Sequence, residues 1–195
     1  MGARRSALLI VDVQRDFCPG GALAAPGGDR VVGPLNHTLE EAAVRGWPVY
    51  ASRDWHPPVT RHFREYGGEW PVHCVEHTPG AEFHPALRLP PTAVIISKGQ
   101  NADRPGYSAF EGSTTDGRTL ADDLRASGID HLYVGGIATD YCVKHSVIDA
   151  RKAGFDVTVL TDAIAGVDVA PGDSARALEE MRAAGAEVTE PAKRS

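Results

Sequence analysis

The stretch HLYVGGIATDYCVKHSVIDA, residues 131–150, contains the change of pattern that decides the fold. Its first six residues form a short apolar run without the alternation of a half-exposed sheet, which is typical of a strand buried on both faces. Val143 and Val147 then recur at helical spacing, and Gly154 suits the position just after a helix end. The stretch therefore predicts a buried strand followed directly by a helix over 140–153.

The same alternation of strand and helix runs along the whole chain. Apolar runs that predict the other strands lie at 6–13, 48–52, 93–97 and 156–161, with a weaker sixth at 186–190. Helical patterns lie between them, at 29–45, 118–127 and 173–184, and Gly128 and Gly185 suit two of the helix ends. This order is typical of a parallel sheet with helices on both faces. We predict a single α/β domain over residues 1–195, a three-layer α/β/α arrangement with a mostly parallel sheet of about six strands.

Composition narrows the class of protein. The 195 residues carry a formal net charge of −6 and no cluster of Lys and Arg, which argues against a general nucleic-acid binder. The first apolar run is interrupted by Asp12, too early for a signal peptide or a membrane span. Three cysteines without metal-finger spacing imply no disulfide framework. We therefore expect a cytoplasmic protein without nucleic-acid or membrane partners; composition leaves a homo-oligomer open.

Reactive side chains collect at the carboxyl ends of the predicted strands, where ligands bind in open α/β sheets. The first strand ends in Asp12, the third in Lys98, and the fourth leads to Cys142 in the first turn of a helix. A buried Asp12 or Lys98 would be costly alone, so each explains the other. The helix dipole and a lysine favour a thiolate, a carboxylate can accept and return its proton, and backbone N–H groups of GIAT (136–139) can stabilise an oxyanion. The alternative for Cys142 is a small buried hydrophobe.

Residues 53–91 form a long irregular segment that is rich in metal-type ligands. It begins RDWHPPVTRHFREYGGEWPVHC, in which Asp54 and His56 can face the same side of an extended chain. His62 and His73 could close around the same ion, and this ligand set suits Zn²⁺, Fe²⁺ or Mn²⁺. The alternative is a polar loop with surface histidines. We interpret the segment as a metal-binding loop insertion.

The motifs that contain these residues resemble the nicotinamidase (pyrazinamidase) branch of the isochorismatase-like cysteine hydrolases. They are LLIVDVQRDFCPGGAL, SRDWHPP followed by HF, WPVHCVEHTPGAEFHPAL, ISKG, YSAFEG, GGIATDYCVKHSVIDA and TDAIAGV. They cover almost the whole chain in order, and DWH with HF and WPVHC is specific to the nicotinamidase branch. The resemblance implies a Rossmann-like form of the predicted fold.

The resemblance also implies roles for individual residues. It implies a catalytic triad of Asp12, Lys98 and Cys142, and metal ligands Asp54, His56, His62 and His73 for one Zn, Fe or Mn ion. The implied oxyanion hole consists of the N–H groups of Ala138 and Cys142, next to a non-proline cis peptide at Ile137–Ala138. The implied substrate pocket consists of Phe17, Leu23, Trp70, Tyr107, Ile137 and Tyr141. Tyr141 stands where a histidine is often found, which leaves the preference among carboxamides open.

The implied activity is hydrolysis of nicotinamide to nicotinate and ammonia through a cysteine thioester, in NAD salvage, with pyrazinamide as a further substrate. One alternative is a cysteine hydrolase of another small amide or an N-carbamoyl compound, which would generally lack the complete metal set. Another is a non-catalytic metal- or ligand-binding relative. A buried charged pair beside a thiol stabilises a fold poorly, which argues against this last class.

Overall fold

In the computed structural model, which describes residues 5–189, six strands form one parallel sheet. The strands are β1 (Ser6–Val11), β2 (Val49–Asp54), β3 (Val94–Lys98), β4 (His131–Ile137), β5 (Asp156–Ala165) and β6 (Glu187–Val188). Their order is β3-β2-β1-β4-β5-β6, and every neighbouring pair is parallel. The predicted α/β class is therefore confirmed. Glu190, at the end of the predicted sixth strand, lies outside the described residues.

Helices cover both faces of this sheet. They are α1 (Val32–Arg45), α2 (Leu120–Ala126), α3 (Lys144–Lys152) and α4 (Asp173–Ala183). Successive side chains of a strand point to opposite faces, so Leu8 of β1 packs in the core with α1, whereas Leu9 packs in the core with α2, α3 and α4. The result is the expected three-layer arrangement. Across residues 5–189 every helix is too short or too polar to cross a bilayer.

The segment after β4 differs from the predicted continuous helix. Thr139–Val143 form a π-helical turn, in which the Val143 N–H donates to the Ala138 carbonyl at 3.0 Å, and α3 begins only at Lys144. Such wide turns occur mainly at functional sites. Cys142 therefore lies in the π turn before α3 rather than in a regular first helical turn.

Strand β5 is longer than predicted, because its second half pairs with the end of β4 after a shift of register. The shift falls at Gly136, where a Cβ would lie 2.0 Å from the Val11 carbonyl oxygen. Only glycine fits this close approach. The local sequence pattern could not indicate the extra length, because it depends on pairing between distant residues.

The order of the strands in the sheet determines where the cleft of the molecule lies. Strand β1 lies between β2 on one side and β4 on the other. This arrangement creates a topological switch point, which is where ligands bind in doubly wound sheets. Asp12 directly follows β1, and the π turn directly follows β4. The carboxyl ends of these two strands therefore bring the acid and the thiol to one crevice.

Candidate active site

A single buried lysine joins two carboxylates and a thiol at this edge of the sheet. Lys98 Nζ lies 2.8 Å from Asp12 Oδ2, 2.6 Å from Asp54 Oδ1 and 3.4 Å from Cys142 Sγ. The Ser52 hydroxyl donates to Asp12 Oδ1 at 2.7 Å. Asp12 has a φ of 49°, in the left-handed region that non-glycine residues occupy mainly at functional sites. The structure therefore brings together Asp12, Lys98 and Cys142, the residues predicted from three strand ends, around the Lys98 ammonium group.

The two carboxylates differ in their affinity for protons. Burial raises the pKa of Asp12, and Lys98 offsets this only in part. Burial also opposes ionisation of Asp54, but the positive charge of Lys98 counteracts it, and the pKa of Asp54 is held well below its usual value. Environments that push two carboxyl pKa values apart separate their roles. Asp54 is the permanent anion suited to a metal, and Asp12 is the carboxylate suited to accept a proton.

The Cys142 thiol is protonated in this environment. Burial raises the pKa of Cys142 well above its usual value, and the positive charge of Lys98 opposes the rise only partly. Burial also disfavours the charge of Lys98, but Asp12 and Asp54 outweigh it and hold the lysine pKa well above its usual value. Lys98 thus acts in the expected direction, towards the thiolate, but burial outweighs it. The thiol needs a base, and the Asp12 carboxylate is within reach: one ligand atom each of Asp12, Asp54 and Cys142 lie within 4.8 Å of one another.

Three histidines form a cluster beside this centre. Their ligand nitrogens lie within 4.8 Å of one another in the set His56, His62 and His73. Asp54 Oδ2 lies 3.5 Å from His56 Nε2 and 4.0 Å from His73 Nε2. Ligands of a tetrahedral ion with bonds of 2.0–2.2 Å are ~3.5 Å apart. Small side-chain adjustments are therefore enough for the cluster to enclose one divalent ion.

The hydrogen bonds of the cluster also suit a metal. His56 Nδ1 lies 2.9 Å from the Gly99 carbonyl oxygen, and His73 Nδ1 lies 2.7 Å from that of Pro71. A carbonyl only accepts, so both Nδ1 atoms carry hydrogen and both Nε2 lone pairs are free. His56 Nε2 is buried without a hydrogen-bond partner in the described part of the chain, as expected of a metal ligand. Burial, followed by repulsion from the other two histidines, lowers the pKa of His62 to about 3, which keeps it in the neutral ligand form.

The Cys142 thiol, Asp54 and two of the three histidines, His62 and His73, open into the same cleft. Its lining residues are Phe17, Leu23, Asp54, His62, Trp70, His73, Tyr107, Ala138, Tyr141, Cys142 and Val167. Trp70 Nε1 donates to Tyr107 Oη at 2.9 Å, and the Trp70 ring meets that of Tyr141 edge-on at 4.9 Å. The Phe17 ring lies 5.5 Å from that of His73. Aromatic side chains thus form the walls between thiol and cluster.

A few predicted residues lie outside the lining of the cleft. Asp12, Lys98 and His56 are buried behind it, in contact with the residues that line it. The Ile137 side chain is 1% exposed and packs in the core on the α1 side of the sheet, so it does not contribute to the lining. The peptide bond between Ile137 and Ala138 is cis, as the resemblance implies.

Sequence reasoning missed Val167 and the residue that holds it in place. The Asp140 carboxylate, two positions before Cys142, accepts the backbone N–H groups of Val167 at 3.0 Å and Asp168 at 2.8 Å. This ties the loop after β5 to the π turn and brings Val167 to the cleft. The sequence position of Val167 could have indicated that it lies near the cleft, because Val167 follows the carboxyl end of a predicted strand.

Gln14 is a second missed residue, and its side chain is fully buried between β2 and the irregular segment. Its Nε2 donates to the carbonyls of Asp54 at 2.8 Å and Ala81 at 2.9 Å, and its Oε1 accepts the Asp54 N–H at 2.7 Å. The amide therefore holds the backbone of a metal-type ligand.

We expect Gln14→Ala to lower the free energy of unfolding by about 3 kcal/mol, because it removes three hydrogen bonds to buried groups worth ~1 kcal/mol or more each. Urea unfolding of the metal-free protein measures this. Gln100→Ala, at an exposed position, is the matched control and should stay within ~0.5 kcal/mol of the wild type. Equal unfolding midpoints for the two variants would contradict the role of Gln14.

The fold and this site define an α/β protein with a lysine-linked acid–thiol centre beside a group of histidines that could hold a divalent metal. A family model described as the Isochorismatase domain matches residues 6–193. The chain belongs to this family.

Similar proteins of known name extend along nearly the whole chain. The nicotinamidase of Escherichia coli strain K12 is 44% identical, over 92% of this chain and 92% of that protein. The pyrazinamidase of Pyrococcus horikoshii, solved in complex with zinc, superposes with a TM-score of 0.87 and 46% identity, covering 95% of this chain and 99% of that one. PnC1 from L. infantum, solved in complex with nicotinate, has a TM-score of 0.83 and 32% identity, covering 97% and 94%.

Proposed function

We propose that this protein is a metal-dependent amidase that hydrolyses nicotinamide to nicotinate and ammonia. The observation that carries the proposal is that the Cys142 thiol and the Asp54–histidine cluster open into one aromatic-walled cleft. Nicotinamide has a ring nitrogen and, meta to it on the same flat ring, a carboxamide, and the cleft offers a partner for each. The similarity to a nicotinamidase and to a structure with bound nicotinate supports this choice among amides.

Binding orients the carboxamide over the thiol. A divalent ion held by Asp54, His56, His62 and His73 would supply a coordination position for the pyridine nitrogen. Phe17 and Trp70 flank the ring, and Leu23, Tyr107 and Tyr141 contribute the remaining walls. Asp12 and Lys98 are buried behind a mostly apolar lining, which strengthens the electrostatic interactions between them.

The first half of the reaction transfers the acyl group to the enzyme. Asp12 accepts the thiol proton while Cys142 Sγ bonds to the carboxamide carbon. The N–H groups of Ala138 and Cys142 stabilise the negative charge that develops on the carboxamide oxygen. Asp12 then returns the proton to the nitrogen as the C–N bond breaks, which releases ammonia and leaves a thioester.

The second half regenerates the thiol. Asp12 accepts a proton from a water molecule whose oxygen attacks the thioester carbon, and the C–S bond breaks to release nicotinate. The proton then returns from Asp12 to Cys142 Sγ. Lys98 remains charged throughout, since its pKa is held well above the usual value, and its positive charge stabilises the ionised acid and the transient thiolate.

The proposal extends to the protein's setting. Residues 1–195 act as one domain in which 53–91 is the metal-binding insertion, and zinc is the first metal to test because the similar pyrazinamidase structure contains it. Pyrazinamide is a second substrate. A reducing cytoplasm is consistent with the three free cysteines, and the proposed product, nicotinate, is consistent with a role in NAD salvage. Self-association stays a prediction.

The direct test is ammonia release from nicotinamide by the purified protein, before and after chelation and after Zn²⁺, Fe²⁺ or Mn²⁺ is restored. We expect activity to be lost on chelation and recovered with metal. A folded protein that stays inactive with every metal, but hydrolyses an N-carbamoyl compound, would contradict the nicotinamide assignment.

A further inference from the structure

The backbone of residues 99–106 closes on itself behind the candidate active site. Gly99 directly follows β3, and a Cβ on Gly106 would lie only 2.7 Å from N and 2.8 Å from Cα of Gly99. Both residues have positive φ, 69° for Gly99 and 64° for Gly106. Backbone conformation therefore favours glycine at both positions, and at Gly106 the contact between the two backbones requires it. We call this close contact between the backbones of the two glycines the Gly99–Gly106 neck.

Each glycine of the neck presents its carbonyl oxygen to one functional side chain. The Gly99 oxygen lies 2.9 Å from His56 Nδ1, and the Gly106 oxygen accepts from Lys98 Nζ at 3.1 Å. The first contact fixes the tautomer and ring orientation of a metal ligand. The second gives the ammonium group an uncharged oxygen partner in addition to its two carboxylates. One short piece of backbone thus contacts both halves of the site.

The His56 ring has no space to move away from the neck. A Cβ on Gly99 would lie 2.5 Å from His56 Cε1 and 2.7 Å from Nδ1. The ring stacks on that of His62 at 4.6 Å and meets that of Phe63 edge-on at 5.4 Å. A methyl group at Gly99 would therefore push the His56 ring and move its Nε2 away from the other ligand atoms.

We infer that the Gly99–Gly106 neck is a positioning element that sets the His56 ring and the Lys98 ammonium together, so that displacing it changes metal affinity and the rate of amide hydrolysis at once. The inference rests on the proposed function, because it takes His56 as a metal ligand and Lys98 as part of the catalytic centre. Neither glycine is among the residues that line the cleft.

The test compares three glycine-to-alanine variants. Gly99→Ala and Gly106→Ala disturb the neck, whereas Gly46→Ala, at a φ of 66° with no atom within 4 Å of its Cβ, carries the same backbone cost without a contact. The zinc dissociation constant is measured by competition with a chelator, and kcat at saturating zinc.

We expect Gly99→Ala to weaken zinc binding about 10- to 100-fold, as loss of a metal ligand's hydrogen-bond partner does. Gly106→Ala should weaken zinc binding and also lower kcat at saturating zinc about tenfold, because a misplaced catalytic group slows the reaction. Gly46→Ala should match the wild type in both. Neck variants that bind zinc as Gly46→Ala does would overturn the inference.

A measurement on the unaltered protein covers the case in which the neck variants do not fold. Zinc should slow amide hydrogen exchange in peptides that span 99–106, because a fixed His56 ring holds the Gly99 carbonyl. Unchanged exchange there with zinc bound would overturn the inference. A wild type that binds zinc but releases no ammonia would refute the proposed function, and the zinc-affinity and exchange comparisons would still decide the role of the neck.

Discussion

Cys142→Ala is expected to lower ammonia release from nicotinamide by about 10⁴-fold or more, which is the usual scale for loss of a covalent nucleophile. Sγ lines the cleft, whereas Asp12 and Lys98 are buried behind it and are not placed to form the bond in its stead. Steady-state assays at saturating nicotinamide measure the effect. Zinc content should equal that of the wild type, because Cys142 is not among the ligands.

The matched control is Cys18→Ala, which removes another buried free thiol. Cys18 does not line the cleft, so its loss should leave kcat within a few-fold of the wild type. Thioester chemistry also predicts that hydroxylamine intercepts the acyl group in the wild type and forms a hydroxamate. A Cys142→Ala variant with near-normal turnover would eliminate the thioester route.

His56→Ala is expected to weaken zinc binding by about 100-fold or more. Zinc-site binding free energies of about 10–16 kcal/mol shared by four ligands correspond to ~3 kcal/mol per ligand. His56 Nε2 is buried without a partner, so its affinity for a metal is not offset by a lost hydrogen bond. Chelator competition measures the zinc affinity, and KM for nicotinamide should rise in parallel, since the ion orients the ring nitrogen.

His84→Ala provides the comparison, because His84 belongs to the same irregular segment but lies outside the histidine cluster. It should retain the zinc affinity and the KM of the wild type. Full zinc affinity in His56→Ala would show that the ligand assignment is wrong. Full affinity together with a raised KM would instead restrict His56 to shaping the cleft.

Most of the site could be predicted from sequence because strand ends in a parallel sheet meet at one edge. From that rule the sequence alone predicts that Asp12, Lys98 and Cys142 lie together. The many metal-type ligands within one short segment predict the histidine cluster. Ile137 shows the limit of carrying a role over by position, since the structure directs its side chain into the core. Gln14 was missed because its contacts cross between segments that are distant in sequence.

The sequence by itself determined the order of strands and helices along the chain, the burial of the strands on both faces and the types of side chain at the strand ends. These features could be predicted because hydrophobic period and glycine position are local properties. Only the tertiary structure separated the proton affinities of the two carboxylates, because it lowers the pKa of Asp54 and raises that of Asp12. The two carboxylates share one lysine, and the balance depends on distances of 2.6 and 2.8 Å and on the neighbouring histidines. Proton affinity in a buried site is set by such three-dimensional distances and by burial, and neither is encoded in a local pattern.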